Sequence, residues 1–377
     1  MGPDDGEPPA PRRRRRVLIV RLDSLGDFLL WLPAAQRLRE HLPARTHTLT
    51  LLGSAVWNEL AEQIPYWDRV WAIDRQRFLS ERFYRMQWQA RLRLTRFDAV
   101  VHPTYSREWW VDDGIVRRTR AQERIGFSCD LSNISAEQQV AGDRAYTRLV
   151  PATAGPLHEL DRNAEFVRCL TGDPRPLAGA ALRIAAAGVE RELPAPYFVV
   201  APGTGWGPRR WPAAKFSSVI DRVAAKFCLT PVIVGDARDG PIAQEIISKV
   251  HSEVVNRVGR TTLPELAALL GKARVVLASD SGPLHLAALQ RIPSVVAVGG
   301  GHFGRFLPYP PSWHDRYALP RVANVAMPCY QCNWRCIYPL SAGESVPCVE
   351  QVSIDAVWRE IEGLLINSAK ASEKARA

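Results

Sequence analysis

Short apolar, β-branched runs alternate along this chain with stretches whose apolar residues recur at helical spacing. Residues 17–22 read as a buried parallel strand, and Phe28, Trp31, Leu32, Ala35 and Leu38 give 27–41 one apolar helical face, with Pro33 tolerated in its first turns. The same reading predicts strands at 46–52, 69–73 and 98–102, a helix at 56–63 and a long Arg-rich helix over 77–95. From about 170 to 196 the chain turns rich in Pro, Gly and Ala, the composition of a linker. The alternation then restarts, with strands at 197–201, 231–234, 275–278 and 294–298 and helices at 212–226, 240–250, 264–270 and 284–289. A Gly299-Gly300-Gly301 turn follows the last strand, and 352–365 is a final amphipathic helix. Strands and helices in this rhythm specify an α/β chain whose parallel sheets carry helices on both faces. No repeat at solenoid periods is present.

At 377 residues the chain exceeds one ordinary core, and two domains of roughly 150–200 residues are expected. The pattern sets them as a basic disordered tail at 1–16, a first domain at 17–185, a second at 186–350 and a terminal helix and tail at 351–377. A net charge of +10 points to anionic partners without choosing among them. Arg12–Arg16 is a run with two readings: a solubilising tail, or a polybasic contact with anionic lipid head groups at roughly 1 kcal/mol per basic residue. The apolar stretch behind it is cut by Arg21, Asp23 and Asp27, so it is no secretion signal. No run approaches the roughly 18 apolar residues of a membrane span. A cytoplasmic protein, at most peripheral to a membrane, is expected. The charge and the 12 tryptophans also raise nucleic-acid binding, but the basic residues form no stripe with interleaved aromatics and no nucleic-acid motif is present. Cys129, Cys169 and Cys228 are scattered, as reduced core cysteines usually are.

Candidate chemistry gathers at two distant segments, 21–27 and 278–285, each of which follows an apolar run and opens a helix. Asp280-Ser281-Gly282 sits where a strand ends and a helix begins, the ligand crevice of an open parallel sheet. There Ser281 and the N–H of Gly282 suit a phosphate, and the helix dipole favours its charge. The plain alternative is an N-cap by Asp280 or Ser281. His285 stands one turn on and points back to the same end. In the turn 201–212, Thr204 offers a hydroxyl, Gly203, Gly205 and Gly207 offer close backbone approach, and Arg209 and Arg210 offer charge. Two cations at a helix start oppose the dipole by roughly 0.3–1 kcal/mol, a conflict that an anionic ligand removes. Asp27 opens the first helix, where a carboxylate is at home as a cap and is also placed for general-base work. Asp112-Asp113 is a poor metal site, since adjacent carboxylates project differently and no further ligand is near.

Taken together these motifs resemble glycosyltransferase family 9, the ADP-heptose heptosyltransferases of lipopolysaccharide assembly. The matching pieces are residues 25–33, Arg124-Ile125-Gly126-Phe127, His158 with Arg162, residues 202–204 with 209–212, and residues 279–287. The resemblance implies a GT-B fold, two Rossmann-like domains facing across a cleft. In it the first domain binds the acceptor, the second binds the nucleotide sugar, and the C-terminal helix packs back on the first. It implies inverting transfer of heptose from ADP-heptose to a hydroxyl of a lipopolysaccharide core or related acceptor, with no cofactor or metal required for catalysis. Asp27 then corresponds to the general base, Ser281 and Gly282 to the diphosphate loop, Asp280 and His285 to its flanks, and Thr204 and Arg209 to further phosphate contacts, with Arg210 beside them. The family often carries Lys where Arg209 stands; Arg keeps the charge and changes the hydrogen-bond geometry. The partners implied are ADP-heptose, an anionic glycolipid and the cytoplasmic face of the inner membrane, with no nucleic acid. A protein or small-molecule acceptor, or another nucleotide sugar, would keep the same architecture.

Cys329-x2-Cys332-x3-Cys336-x11-Cys348 places four thiols close together in sequence. The spacing suits a structural zinc or iron site, and reduced structural cysteines or two disulfides are the alternatives, the latter ill-suited to a cytoplasmic chain. The segment also resembles the four-cysteine metal site of family relatives that modify autotransporters.

Overall fold

The computed structural model describes residues 13–180, 182, 188 and 193–374. The notebook of expectations for residues 1–12, for the boundary between 185 and 186 and for 375–377 lies outside the described residues. The chain packs as two compact units. One takes in the residues up to Leu22, Arg37–Ala55 and Pro65–Pro151; the other takes in Asp23–Gln36, Val56–Ile64 and the residues from Ala152 on.

In chain order the elements up to Val150 are β1 (Arg15–Arg21), α1 (Leu25–His41), β2 (His47–Ser54), α2 (Asn58–Glu62), β3 (Arg69–Ile73), α3 (Arg75–Ser80), α4 (Arg82–Thr95), β4 (Ala99–His102), a π-type turn (Trp109–Asp113), α5 (Gly114–Thr119), β5 (Glu123–Phe127), α6 (Ala136–Asp143) and β6 (Arg148–Val150). The strands form one parallel sheet in the order β3-β2-β1-β4-β5-β6. Ile19 pairs with Leu51 on one side and Val101 on the other, which is why β1 and β4 read as continuous apolar runs. Leu18, Val20 and Val100 form part of one core with Phe78, Trp88, Leu92 and Ile115.

Two expectations change in this unit. The basic run does not stay a solvated tail through residue 16, because β1 starts at Arg15. Arg13 and the backbone N–H of Arg16 both bond to Asp98, and Arg15 pairs with Glu123, so these charges are offset where the strand begins. The long helix expected over 77–95 is two helices, broken at Glu81, whose φ of −97° and ψ of 108° are extended. No Pro or Gly marks the break. Its side chain instead holds Arg77, one turn back, at 2.8 Å.

The second sheet repeats the topology. Its elements are α7 (Glu159–Thr171), β7 (Tyr197–Ala201), α8 (Ala213–Phe227), β8 (Thr230–Ile233), α9 (Gly240–Ile247), β9 (Val255–Asn256), α10 (Leu263–Leu270), β10 (Val276–Ala278), α11 (Gly282–Leu289), β11 (Ser294–Ala297), β12 (Arg321–Ala323), α12 (Pro347–Glu350) and α13 (Ile354–Lys374). The parallel order β12-β11-β10-β7-β8-β9 reverses direction between β7 and β10, so the turns after those two strands flank the switch point where α/β sheets bind ligands. Helix α13 buries Val357, Ile361 and Leu365 in this unit's core, packs Trp358 near Phe227 of α8, and pairs Asp355 with Arg222. Of the scattered cysteines only Cys129 is buried; Cys169 lies on the outer side of α7 and Cys228 caps α8 in a left-handed conformation, so both are exposed. Among the described residues no helix is long and apolar enough to cross a membrane.

Candidate functional site

All residues of the site described here belong to the second unit, which includes the first turns of α1. Helices α1 and α11 meet at their N-termini. A Cβ on Gly26 would stand 2.9 Å from Cδ2 of His285, and a Cβ on Gly282 would stand 2.5 Å from Cδ2 of Leu25, so both glycines are needed for the approach. The carboxylate of Asp27, next to Gly26, accepts a 2.5 Å hydrogen bond from the Ser24 hydroxyl through Oδ2. Two residues far apart in sequence, Asp27 and His285, thereby come within electrostatic reach of one another.

His285 is buried and its pKa is lowered, first by that burial; Asp280 and Asp27 act to raise it and Arg209 to lower it. Its Nδ1 lies 2.7 Å from the Tyr309 hydroxyl, and its Nε2 lies 3.9 Å from Oδ1 of Asp280. Arg209 donates from Nη2 to Oδ2 of Asp280 at 2.7 Å and to its backbone carbonyl at 3.1 Å, while its guanidinium carbon lies 4.6 Å from the centre of the Trp334 ring. The cation that conflicted with a helix start is thus held by a carboxylate and an aromatic face.

Ser281 occupies the position before α11 but caps nothing with its side chain; its hydroxyl donates to the Ser279 carbonyl at 3.3 Å. With Pro283 lacking an N–H, the first turn of α11 keeps backbone donors available to an anion. Thr204 lies in the turn after β7, and its hydroxyl donates to the Trp206 carbonyl at 2.6 Å. Arg210 departs from the group: it acts on Asp239, beyond the Asp280 cluster, and its backbone carbonyl accepts from Ser345 at 2.6 Å. Gly203 has a structural reason for being glycine, since a Cβ there would collide with the Asp239 carboxylate, whereas nothing stands within 4 Å of a Cβ on Gly205 or Gly207.

Three neighbours carried no local signal in the sequence. Tyr309 meets His285 only through tertiary packing. Trp334 comes from the cysteine segment, next to Asn333, which takes Nε2 of His302 at 2.6 Å. His302 is lowered by burial, and Arg209 and Asp280 both act on it. His158 and Arg162 hold structure: His158 lies 2.8 Å from the Phe306 carbonyl, and Arg162 donates to the carbonyls of Thr153 and Gly155.

The cysteine segment covers the turn after β11. A Cβ on Gly300 would collide with Tyr330 and one on Gly301 with Trp334, which explains the glycine run. The Gly300 N–H donates to Sγ of Cys348 at 3.3 Å, and the Cys348 pKa is raised by burial and then, after an opposing effect of that bond, by Cys329, Cys332 and Cys336. Four thiols within mutual influence are a donor set that suits zinc or iron. Among the described residues, however, no three His, Cys, Asp or Glu side chains are gathered closely enough to hold a metal ion.

Residues 119–331 match the family model described as glycosyltransferase family 9 (heptosyltransferase). The chain belongs to glycosyltransferase family 9. Lipopolysaccharide heptosyltransferase 1 of Pseudomonas aeruginosa is 24% identical over 331 residues, covering 84% of this chain and 86% of the relative. The Escherichia coli heptosyltransferase WaaC, solved with ADP-2-deoxy-2-fluoro heptose, superposes with a TM-score of 0.66 at 19% identity, over 92% of this chain and 99% of that one. The dodecameric iron-containing heptosyltransferase TibC, solved in complex with ADP-D-beta-D-heptose, gives a TM-score of 0.54 at 16% identity, over 93% of this chain and 77% of that one. These likenesses establish the GT-B fold of the family member, with its two parallel six-stranded sheets.

Proposed function

We propose that this family 9 glycosyltransferase moves heptose from ADP-heptose to a hydroxyl of an anionic lipopolysaccharide-core glycolipid, with inversion at the sugar carbon and without a catalytic metal. The observation that carries the reading is the meeting of α1 and α11, which sets Gly26-Asp27 against His285 and the first turn of α11. In this reading the first domain presents the acceptor and the second holds the donor, at the cytoplasmic face of the inner membrane.

Asp27 removes the proton of the acceptor hydroxyl, with its carboxylate oriented by the Ser24 hydroxyl. The acceptor oxygen bonds to the anomeric carbon as the bond from that carbon to the diphosphate breaks, and ADP leaves with the electron pair. The free N–H groups at the start of α11 receive the diphosphate, with Ser281 and Gly282 at the turn. Arg209 adds charge while Asp280 fixes its direction, and the Thr204 hydroxyl is available by giving up its local bond to Trp206. Arg210, engaged with Asp239, supplies longer-range charge only. His285, kept neutral by burial, supports Asp280 and the α1 contact.

The test is ADP release and sugar transfer with ADP-heptose, ADP-glucose and UDP-N-acetylglucosamine as donors and a lipopolysaccharide-core glycolipid, a peptide and a small glycoside as acceptors. The reading expects turnover with ADP-heptose and the glycolipid. Turnover confined to another donor or acceptor replaces the substrate and leaves the fold assignment standing.

For the cysteine segment the proposal is a structural zinc or iron held by Cys329, Cys332, Cys336 and Cys348, which takes no part in the transfer. Its support is the donor set and the mutual influence of the thiols. Elemental analysis of protein purified without chelator is expected to find about one metal per chain. Neither zinc nor iron near that ratio removes it.

A further inference from the structure

The first unit contains a cavity of about 70 Å³, space for roughly five waters or the bulk of one sugar ring, which the transfer chemistry does not use. Its walls come from α4, the π-type turn and α5, and α6, all within that unit. Trp109 and Trp110 stand on one side, and Trp110 is 62% exposed although it is a large aromatic. Arg117 and Arg118, in the last turn of α5, stand on another. Both are exposed, and among the described residues neither makes an ion pair.

Asp113 lies in the same lining and is only 2% exposed. One of its oxygens is fully engaged: Oδ1 accepts from the Tyr146 hydroxyl at 2.6 Å and lies 3.5 Å from Nη1 of Arg107. The other, Oδ2, is buried and has no hydrogen-bond partner. A buried carboxylate oxygen left in that state costs about 1–3 kcal/mol, so its orientation calls for a donor. Its direction is fixed by Gly142: a Cβ there would collide with Oδ2 and stand 3.2 Å from Cδ1 of Trp109, and both Gly142 and Trp109 line the cavity. The unsatisfied acceptor therefore faces the cavity side.

We infer that this cavity binds an anionic saccharide: a ring hydroxyl donates to Oδ2 of Asp113, the apolar face of the ring lies on Trp109 and Trp110, and a phosphate or carboxylate substituent meets Arg117 and Arg118. The aromatic platform, the carboxylate acceptor and the paired guanidinium groups each match one part of such a molecule, and no simpler ion uses all three. The inference does not depend on the donor, the acceptor or the transfer reaction proposed above. The ligand is either a free sugar phosphate or the phosphorylated sugar of a glycolipid, since both present the same chemistry.

The experiment is a calorimetric titration of the full chain with glucose 6-phosphate, octyl glucoside 6-phosphate, glucose and inorganic phosphate, in the absence of any nucleotide sugar. Saturable binding of glucose 6-phosphate is expected, at least about tenfold tighter than inorganic phosphate, and tighter binding of the octyl form assigns the site to a glycolipid. Trp110→Ala and the double variant Arg117→Ser/Arg118→Ser, both at exposed positions, are each expected to weaken it about tenfold with melting unchanged. Gly142→Ala, which drives a methyl onto Oδ2, is expected to abolish it. Phosphate binding as tight as the sugar phosphate, affinity unchanged in the Trp110 variant, or no saturable binding of either sugar phosphate overturns the inference and leaves Oδ2 with a trapped water only.

Discussion

Two buried histidines in this molecule, one in each unit, are built almost alike and serve different ends. His285 has a tyrosine hydroxyl 2.7 Å from Nδ1, the Tyr309 ring tilted by 15°, and Asp280 at 3.9 Å from Nε2. His102 has the Tyr146 hydroxyl at 2.7 Å, that ring tilted by 11°, and Asp112 at 3.8 Å. Each trio also has an arginine near it, Arg209 or Arg107. The difference is access. The side chain of Arg209 is 20% exposed beside the open first turn of α11, while that of Arg107 is fully buried against Asp113, Asp143 and Cys129. A histidine, tyrosine and aspartate in register are therefore no signature of an active site; what matters is whether the neighbouring cation and backbone donors remain open to a ligand.

The largest expected effect falls on the closed trio. Arg107→Ala removes the cation from buried carboxylates and is expected to destabilise the protein by about 3–5 kcal/mol, with donor affinity unchanged in whatever folded fraction remains, read by denaturant unfolding and ADP titration. Arg209→Ala reverses the pattern: ADP affinity falls about 10- to 100-fold while stability changes less. Equal effects of the two substitutions on ADP binding would erase the distinction.

Acid–base behaviour separates the trios next. The buried histidines have pKa values below 6.5, His158 at about 3, so the unfolded chain binds their protons more readily and stability falls as pH drops below 6.5. Asp112 acts in the opposite direction in the first unit alone. Burial raises it from 3.8 to about 7, so the native state holds its proton and stability falls as pH rises across that window. Asp112→Asn removes that loss and is expected to gain on the wild type by about 1.4 kcal/mol per pH unit between those limits, measured by unfolding at several pH values. A parallel pair of curves would contradict it. The smallest effect belongs to Tyr309→Phe, about 1 kcal/mol, against about 1–3 kcal/mol for Tyr146→Phe, which strands both His102 and Asp113.

Much of the frame is legible in residue order because β1, β3, β7 and β10 are short apolar runs between turn residues, and parallel strands buried on both faces have to look that way. The residues of the candidate site follow from the same rule, since Asp27 and Asp280 stand just past strands that enter helices. What escapes is whatever depends on distant partners. β5 and β6 are short and carry arginines, and the π-type turn Trp109–Asp113 has no periodicity to betray it. Tyr146 is 44 residues from the His102 it bonds, and Tyr309 is 24 from His285, so neither pairing leaves a local trace. The helix break at Glu81 is equally silent, because its residues are all acceptable in a helix.

Asp27→Ala at saturating ADP-heptose tests the central claim most directly, with single-turnover transfer and donor affinity measured on the same preparation. Removal of the base is expected to slow transfer by about 10²- to 10⁴-fold while the donor dissociation constant stays within about twofold. Transfer at the wild-type rate would contradict the account.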